Sequence, residues 1–127
     1  MKTDIPGAVE LTRLNFETEV LKSDKPVLVI FWANFCFPCR LLNHEFYVGL
    51  SKELADISVK VCTLDTEDGS NAGMGDEHGV TCIPTTVLFV RGVQMKKIIG
   101  FKCREEILSH FQPELNLQPV EKKGAQP

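Results

Sequence analysis

The sequence predicts an α/β domain, a central mixed five-stranded sheet flanked by helices on both faces. Three observations carry this. Val27 to Trp32 is an apolar, β-branched and aromatic run without polar alternation, as a strand covered on both faces would be. Stretches of helical spacing separate the earlier strands, which can then pair in parallel through right-handed crossovers. The last two apolar runs are parted only by Arg91-Gly92, close enough for an antiparallel hairpin alone.

Residues 1–7 read as a loose lead-in ending at Pro6-Gly7, and the alternation over 8–11 as a brief edge strand. From Asn15 onward Phe16, Val20 and Leu21 recur at helical spacing, with Asn15 as an imperfect N-cap. Ser23-Asp24-Lys25-Pro26 breaks that helix before the central strand. After Cys36 the apolar residues Leu41, Leu42, Phe46, Leu50 and Leu54 keep three- and four-residue spacing, so one long helix is expected to end near 55–56. Residues 57–65 alternate as a third strand. Residues 66–79 hold four glycines and the acidic residues Glu67, Asp68, Asp76 and Glu77, and read as a loop with one weak helical segment over 72–78. Residues 85–90 and 93–99 form the hairpin. A closing helix spans 104–111, with Ile107, Leu108 and Phe111 on one face. One domain over 1–111 is therefore expected, with 112–127 as a mobile tail, since three prolines and scattered polar residues leave little to pack.

Composition narrows the function. The chain has 127 residues, 43% apolar and 24% charged, with a formal net charge of −3 and no basic stripe. A nucleic-acid partner is disfavoured. The first nine residues carry no apolar run, so no secretory signal is read, and 27–37, interrupted by Asn34, falls well short of the roughly 20 apolar residues that span a bilayer. Five cysteines, an odd count without a signal, do not make a disulfide framework. A reducing cytoplasm is expected, where Cys-x-x-Cys beside a βαβ pattern is catalytic or metal-binding more often than structural.

Cys36-Phe37-Pro38-Cys39 falls where the buried strand hands over to the long helix. Unpaired N–H groups and the positive end of the dipole at a helix start stabilise a thiolate, lowering the pKa of Cys36 below the ~8.5 of a free thiol. Two cysteines at this spacing can close a small ring across the first turn, and Pro38 suits that turn because its missing N–H would have had no partner. Two other readings stay open here. The pair can be core cysteines, or half of a zinc site; zinc needs two more ligands, and Cys62, Cys82 and Cys103 form no second Cys-x-x-Cys. His44, His78 and His110 are scattered without metal-ligand spacing, so no metal is expected.

Phe31-Trp32-Ala33 before Cys36-Phe37-Pro38-Cys39, then Ile83-Pro84-Thr85, Phe89 with Arg91-Gly92, and Gly100 before the last helix together resemble thioredoxin, from about residue 8 to 111. The resemblance implies the thioredoxin fold and protein-disulfide reduction without a cofactor. Cys36 would be the exposed attacking thiol and Cys39 the buried resolving one. Pro84 would be a cis-proline opposite them, with Ile83 offering backbone groups to an extended substrate segment. Trp32, Phe37 and Pro38 would complete the substrate-binding surface. Trp32 is read as both packing and contact, and Phe35 as packing. Cys82, where animal thioredoxins carry a cysteine, is read as a redox-sensitive rim thiol, and Cys62 as a small buried hydrophobe. Cys103 has no functional reading.

Several positions depart from the family pattern. Ile30 stands where most thioredoxins bury an aspartate thought to help deprotonate the resolving cysteine, and Val61 where its lysine partner usually lies. Such an aliphatic replacement is compatible with a stable fold, but it leaves Cys39 without a base, and water becomes the default proton acceptor. Phe37 replaces the usual glycine; intervening residues help set potentials that run from roughly −270 to −120 mV across the fold. His44 replaces a proline that normally kinks the helix, so a straighter helix is expected. The leading expectation is a monomeric disulfide reductase acting on protein substrates, with a thioredoxin reductase as donor and no membrane partner. A specialised oxidant, isomerase or dedicated reductant, and a binding module without turnover, are the alternatives.

Overall fold

The computed structural model describes residues 5–116. Five strands, β1 (Val9–Glu10), β2 (Val27–Trp32), β3 (Lys60–Asp65), β4 (Thr85–Val90) and β5 (Val93–Ile99), form one sheet in the order β1-β3-β2-β4-β5. β3 runs parallel to both β1 and β2, whereas β4 is antiparallel to β2 and β5. β2 is buried along its whole length because side chains alternate between two covered faces. Leu28, Ile30 and Trp32 face one apolar layer with Leu42, Phe46, Leu50, Leu54, Ile107 and Phe111; Val27, Val29 and Phe31 face a second with Leu11, Phe16, Val20 and Met74.

The helix after Cys36 is not straight. α1 (Phe37–Glu45) passes through a π-helical turn, Phe46–Leu50, into α2 (Ser51–Asp56), and the break lies at Gly49, whose φ of 176° and ψ of −28° are not helical. One extended residue interrupts the i→i−4 ladder and re-aims the turns after it. Glycine favours the break through its low helix propensity, and Arg104 occupies the space its missing side chain leaves, with Nη1 3.0 Å from where a Cβ would stand. The straighter helix expected from His44 is therefore not found, since the chain breaks at Gly49 instead.

Three other boundaries differ from the sequence expectation. Asn15 caps no helix: its Oδ1 accepts from Thr12 N–H at 2.7 Å, and the first helical turn, π-type, is Glu17–Leu21. β3 starts at Lys60 because Ser58, at φ 62°, turns the chain after α2. The closing helix, α4 (Arg104–Asn116), runs past 111 and through Pro113. Its last turn is held from outside: Lys96 Nζ donates to His110 O at 2.9 Å and pairs with Glu114 at 3.1 Å, and Leu115 packs on the core. Of the expected tail, 117–127 lie outside the described residues. In the acidic loop, a short 3₁₀ turn, Gly69–Asn71, precedes α3 (Met74–Glu77), close to the weak segment expected there.

Arg91 and Gly92 join β4 to β5 with φ of 52° and 81°, positive at both central positions as a type I′ hairpin turn requires. A Cβ on Gly92 would also lie 2.7 Å from Leu21 O. Gly92→Ala is therefore expected to destabilise the fold by ~1–3 kcal/mol, read as a lower urea midpoint at unchanged m-value.

His78, directly after α3, stacks on Phe16 with ring centroids 4.6 Å apart and meets Phe89 edge-on at 5.9 Å. Burial holds its pKa below the ordinary 6.5, with nearby Glu77 opposing and Arg13 assisting. The folded ring takes up a proton less readily than the unfolded one, so unfolding free energy is greatest above pH ~6.5 and falls as the pH drops from there through the lower folded value. His78→Phe is expected to flatten that fall, measured by urea titrations between pH 5 and 8.

Candidate active site

β2 ends at Trp32 against one apolar layer, and the chain then turns: Cys36 N–H donates to Ala33 O at 3.2 Å, and Arg40 Nη2 holds Asn34 O at 3.1 Å. Cys36 is the N-cap of α1, with φ −89° and ψ 109°, and its Sγ accepts from Cys39 N–H at 3.2 Å. Pro38 sits in the first turn, where no donor is missed. Cys36 and Cys39 are joined in a disulfide, their Cα atoms 5.2 Å apart. The Cys39 N–H at the helix start is thus already directed at the sulfur that a Cys36 thiolate would carry.

Cys36 is not openly exposed, contrary to what the resemblance implies. It is 7% accessible against 1% for Cys39, because the closed ring draws its sulfur back onto the first turn. Phe35 also departs from its expected packing role. It is 70% exposed, and Phe37 63%, since the Ala33–Cys36 turn lifts residue 35 off the sheet while Trp32 stays buried.

The Ile83–Pro84 peptide bond is cis. Pro84 is buried, and Ile83 is half-buried and packs against both apolar layers, the one that holds Cys36 and Cys39 included. Two hydrogen bonds fix this loop: Thr85 Oγ1 donates to Cys82 O, and Gly100 N–H to Pro84 O, each at 2.7 Å. The second places the β5–α4 link beside the loop. Sequence reasoning placed Gly100 only as the end of the last strand, because a contact between residues far apart in the chain leaves no local signal.

Ile30 and Val61 belong to the same apolar layer as the two cysteines. The buried polar residues among those described are Thr63, Asn71, Thr85 and Thr86, and none of them ionises. Among the described residues no buried carboxylate attends Cys39. His44 is exposed and, five positions on, about 140° round the helix from Cys39.

The other cysteines are dispersed. Cys62 lies buried in the opposite layer, its thiol pushed up to about 12 chiefly by burial, with Lys60 lowering and Glu19 raising it; it is inert. Cys103 is half-buried, its N–H and Sγ both directed at Glu106 Oε1, 3.3 Å away. Cys82 is exposed and lines a groove that also includes Phe35 and Ile83. Cys62 faces away from the disulfide across the sheet, so it cannot complete a zinc site there.

The thioredoxin family model matches residues 7–113. The chain belongs to the thioredoxin family. Thioredoxin of Rickettsia typhi is 40% identical over 98 residues, covering 77% of this chain and 90% of that protein. Thioredoxin of Mycobacterium tuberculosis is 34% identical over 113 residues, covering 87% and 94%. A bifunctional thioredoxin reductase/thioredoxin of Mycobacterium leprae is 36% identical over 111 residues, 85% of this chain but 23% of that longer protein. With the thioredoxin fold and a Cys36–Cys39 disulfide at a helix start, this member of the family is a thiol–disulfide oxidoreductase. Among the described residues no helix is long and apolar enough to cross a membrane.

Proposed function

We propose that this thioredoxin-family chain reduces protein disulfides, with Cys36 as nucleophile and Cys39 as resolving thiol. The Cys36 thiolate attacks one sulfur of the substrate disulfide, forming a mixed disulfide and expelling the other substrate sulfur as a thiolate, which takes a proton from solvent. Cys39 then gives its proton to water and attacks Cys36 Sγ, closing the 36–39 disulfide and releasing the second substrate thiol. Two electrons pass to the substrate. A dithiol donor restores the pair, and fusion of the two names in the Mycobacterium leprae relative supports a thioredoxin reductase in that role. Trp32, Phe37, Pro38, Ile83 and Pro84 contact the substrate, and Cys82 is a redox-sensitive thiol on the same rim. The protein acts as a monomer in the cytoplasm.

The observation that carries this reading is the Cys36–Cys39 disulfide at the start of α1, packed on the same layer as the cis Ile83–Pro84 loop. Purified protein with excess dithiol should reduce an accessible protein disulfide between pH 6 and 9, and Cys36→Ser should not. No dithiol-dependent reduction anywhere in that range would overturn the proposal. A second reading, a specialised oxidant, isomerase or dedicated reductant, is favoured by Phe37 and by the apolar surroundings of Cys39. Equilibration with glutathione separates the two: a potential well above about −270 mV points to oxidation.

A further inference from the structure

Two polar atoms on the Cys39 side of the sheet are buried without a hydrogen-bond partner among the described residues, Thr86 Oγ1 and Asn43 Oδ1. Thr86, in β4, is 1% exposed and pairs in register with Ile30 on one side and Ile98 on the other. Directly opposed residues share a face of the sheet, so its side chain stands with theirs on the face that α1 and α4 cover. Thr85, next along the strand, points to the other face and donates to Cys82 O. Asn43 lies on α1 four residues after Cys39, one turn on and on the same side of the helix. Helical side chains lean back towards the N-terminus, which carries Asn43 over the turn of Cys39 and Arg40. Arg40 is exposed while Asn43 Oδ1 is buried, so the oxygen is turned to the Cys39 side.

Buried polar atoms are normally satisfied, and the surroundings restrict what can satisfy these two. Among the described buried residues on this face, the other side chains able to hydrogen-bond are Thr63, Trp32, Cys36 and Cys39. Neither Thr63 nor Trp32 bonds to either atom, and β2 lies between Thr63 and Thr86. Cys36 is the helix cap, two turns from Asn43. Cys39 remains, and its sulfur is held in the disulfide with no hydrogen to give. Opening the disulfide supplies one.

We propose that Asn43 and Thr86 are positioning residues for Cys39 in the reduced protein, the Cys39 thiol donating to Asn43 Oδ1 and the Thr86 hydroxyl donating to the Cys39 sulfur. Two electrons from a dithiol donor, which itself becomes a disulfide, break the Cys36–Cys39 bond, and Cys39 takes up a proton; that proton satisfies Asn43. On resolution the proton passes to water, Cys39 attacks Cys36 Sγ, the bond from Cys36 to the substrate breaks, and the departing thiolate takes a proton from solvent. Neither residue is a base. Both favour dithiol over disulfide, in a layer where Ile30 and Val61 offer Cys39 no polar group. The inference deepens the disulfide-reductase reading and rests on it only in requiring that the pair open and close.

The test is the Cys36–Cys39 reduction potential at pH 7 in dithiothreitol redox buffers, read by alkylation and mass mapping. Thr86→Val and Asn43→Leu keep the size of the side chains and remove the two polar atoms. Together they should lower the ratio of dithiol to disulfide in a given buffer about tenfold, a potential about 30 mV more negative. Thr86→Ser, which keeps the hydroxyl, should hold the native potential. Urea unfolding of each redox form excludes a merely structural role. The oxidised double variant should be no less stable than the native disulfide form, because it has lost two unmet atoms, whereas the reduced double variant should be less stable than the native dithiol. A ratio within about twofold of native in the double variant, or the same loss of stability in both redox forms, would overturn the proposal and leave disulfide reduction intact. A pair that dithiothreitol cannot open would overturn the reductase reading and this inference together.

Discussion

Substituting serine for Cys39 is expected to leave the protein joined to its substrate. Cys36 keeps its place as N-cap of α1, so the first exchange proceeds, but no thiol remains within the ring to displace the reduced product. Multiple turnover should fall below about a thousandth of the native rate, and non-reducing mass spectrometry should show a covalent complex through Cys36. The complementary Cys36→Ser protein should form no such complex, because Cys39, at 1% exposure, cannot be reached by a folded substrate. A complex that forms equally well through either cysteine would mean that position on the helix does not assign the roles.

Ile30→Asp is the second change with a large expected effect. Ile30 is fully buried in the layer that holds both cysteines, and among the described residues no buried cation is there to pair with a new carboxylate. Loss of the aliphatic packing and burial of an unpaired charge should together cost about 3–5 kcal/mol, a large share of the roughly 5–15 kcal/mol typical of a domain. The sign of the pH dependence is set by burial. A desolvated carboxyl has a folded pKa above its unfolded value, so the deficit should be smallest below about pH 4 and grow as the pH rises through the folded value. Chemical denaturation at several pH values would show this. The same substitution should shorten the lifetime of the mixed disulfide, since it supplies the base that Cys39 lacks. An unchanged lifetime in a folded Ile30→Asp protein would show that water removes the Cys39 proton without help.

The sheet was legible because its strands are written in local pattern. β2 is one uninterrupted apolar run, β4 and β5 are separated by a two-residue turn, and the observed bounds of all three match the expected ones. The disulfide site was legible for a similar reason: the cysteine pair, the proline between them and the strand-to-helix handover lie within eight residues or so of each other. The features that escaped depend on tertiary packing. Gly49 breaks the helix in concert with Arg104, which arrives from the far end of the chain. Asn15 resembles a helix cap but spends its Oδ1 on Thr12 N–H and its amide on Glu10 O. α4 outlasts its proline because Lys96 and the core hold its last turn. Exposure is the hardest property to read from a sequence: Phe35 has the composition of a core residue and the place of a surface one, and Cys36, expected exposed from the resemblance, is buried. The groove lined by Phe35, Glu67, Asp76, Cys82 and Ile83 was visible in the sequence only as a loop rich in glycine and acidic residues, since its other wall comes from a distant segment.

The central claim, that the start of α1 makes Cys36 the reactive member of the pair, is tested most directly by alkylation of the fully reduced protein as a function of pH, with each cysteine located by mass mapping. Cys36 should react ahead of Cys39 at every pH, with a midpoint below the ~8.5 of a free thiol. Cys82 and Cys103 serve as internal references on the same molecule. Faster alkylation of Cys39, or a Cys36 midpoint at or above that of a free thiol, would contradict the account.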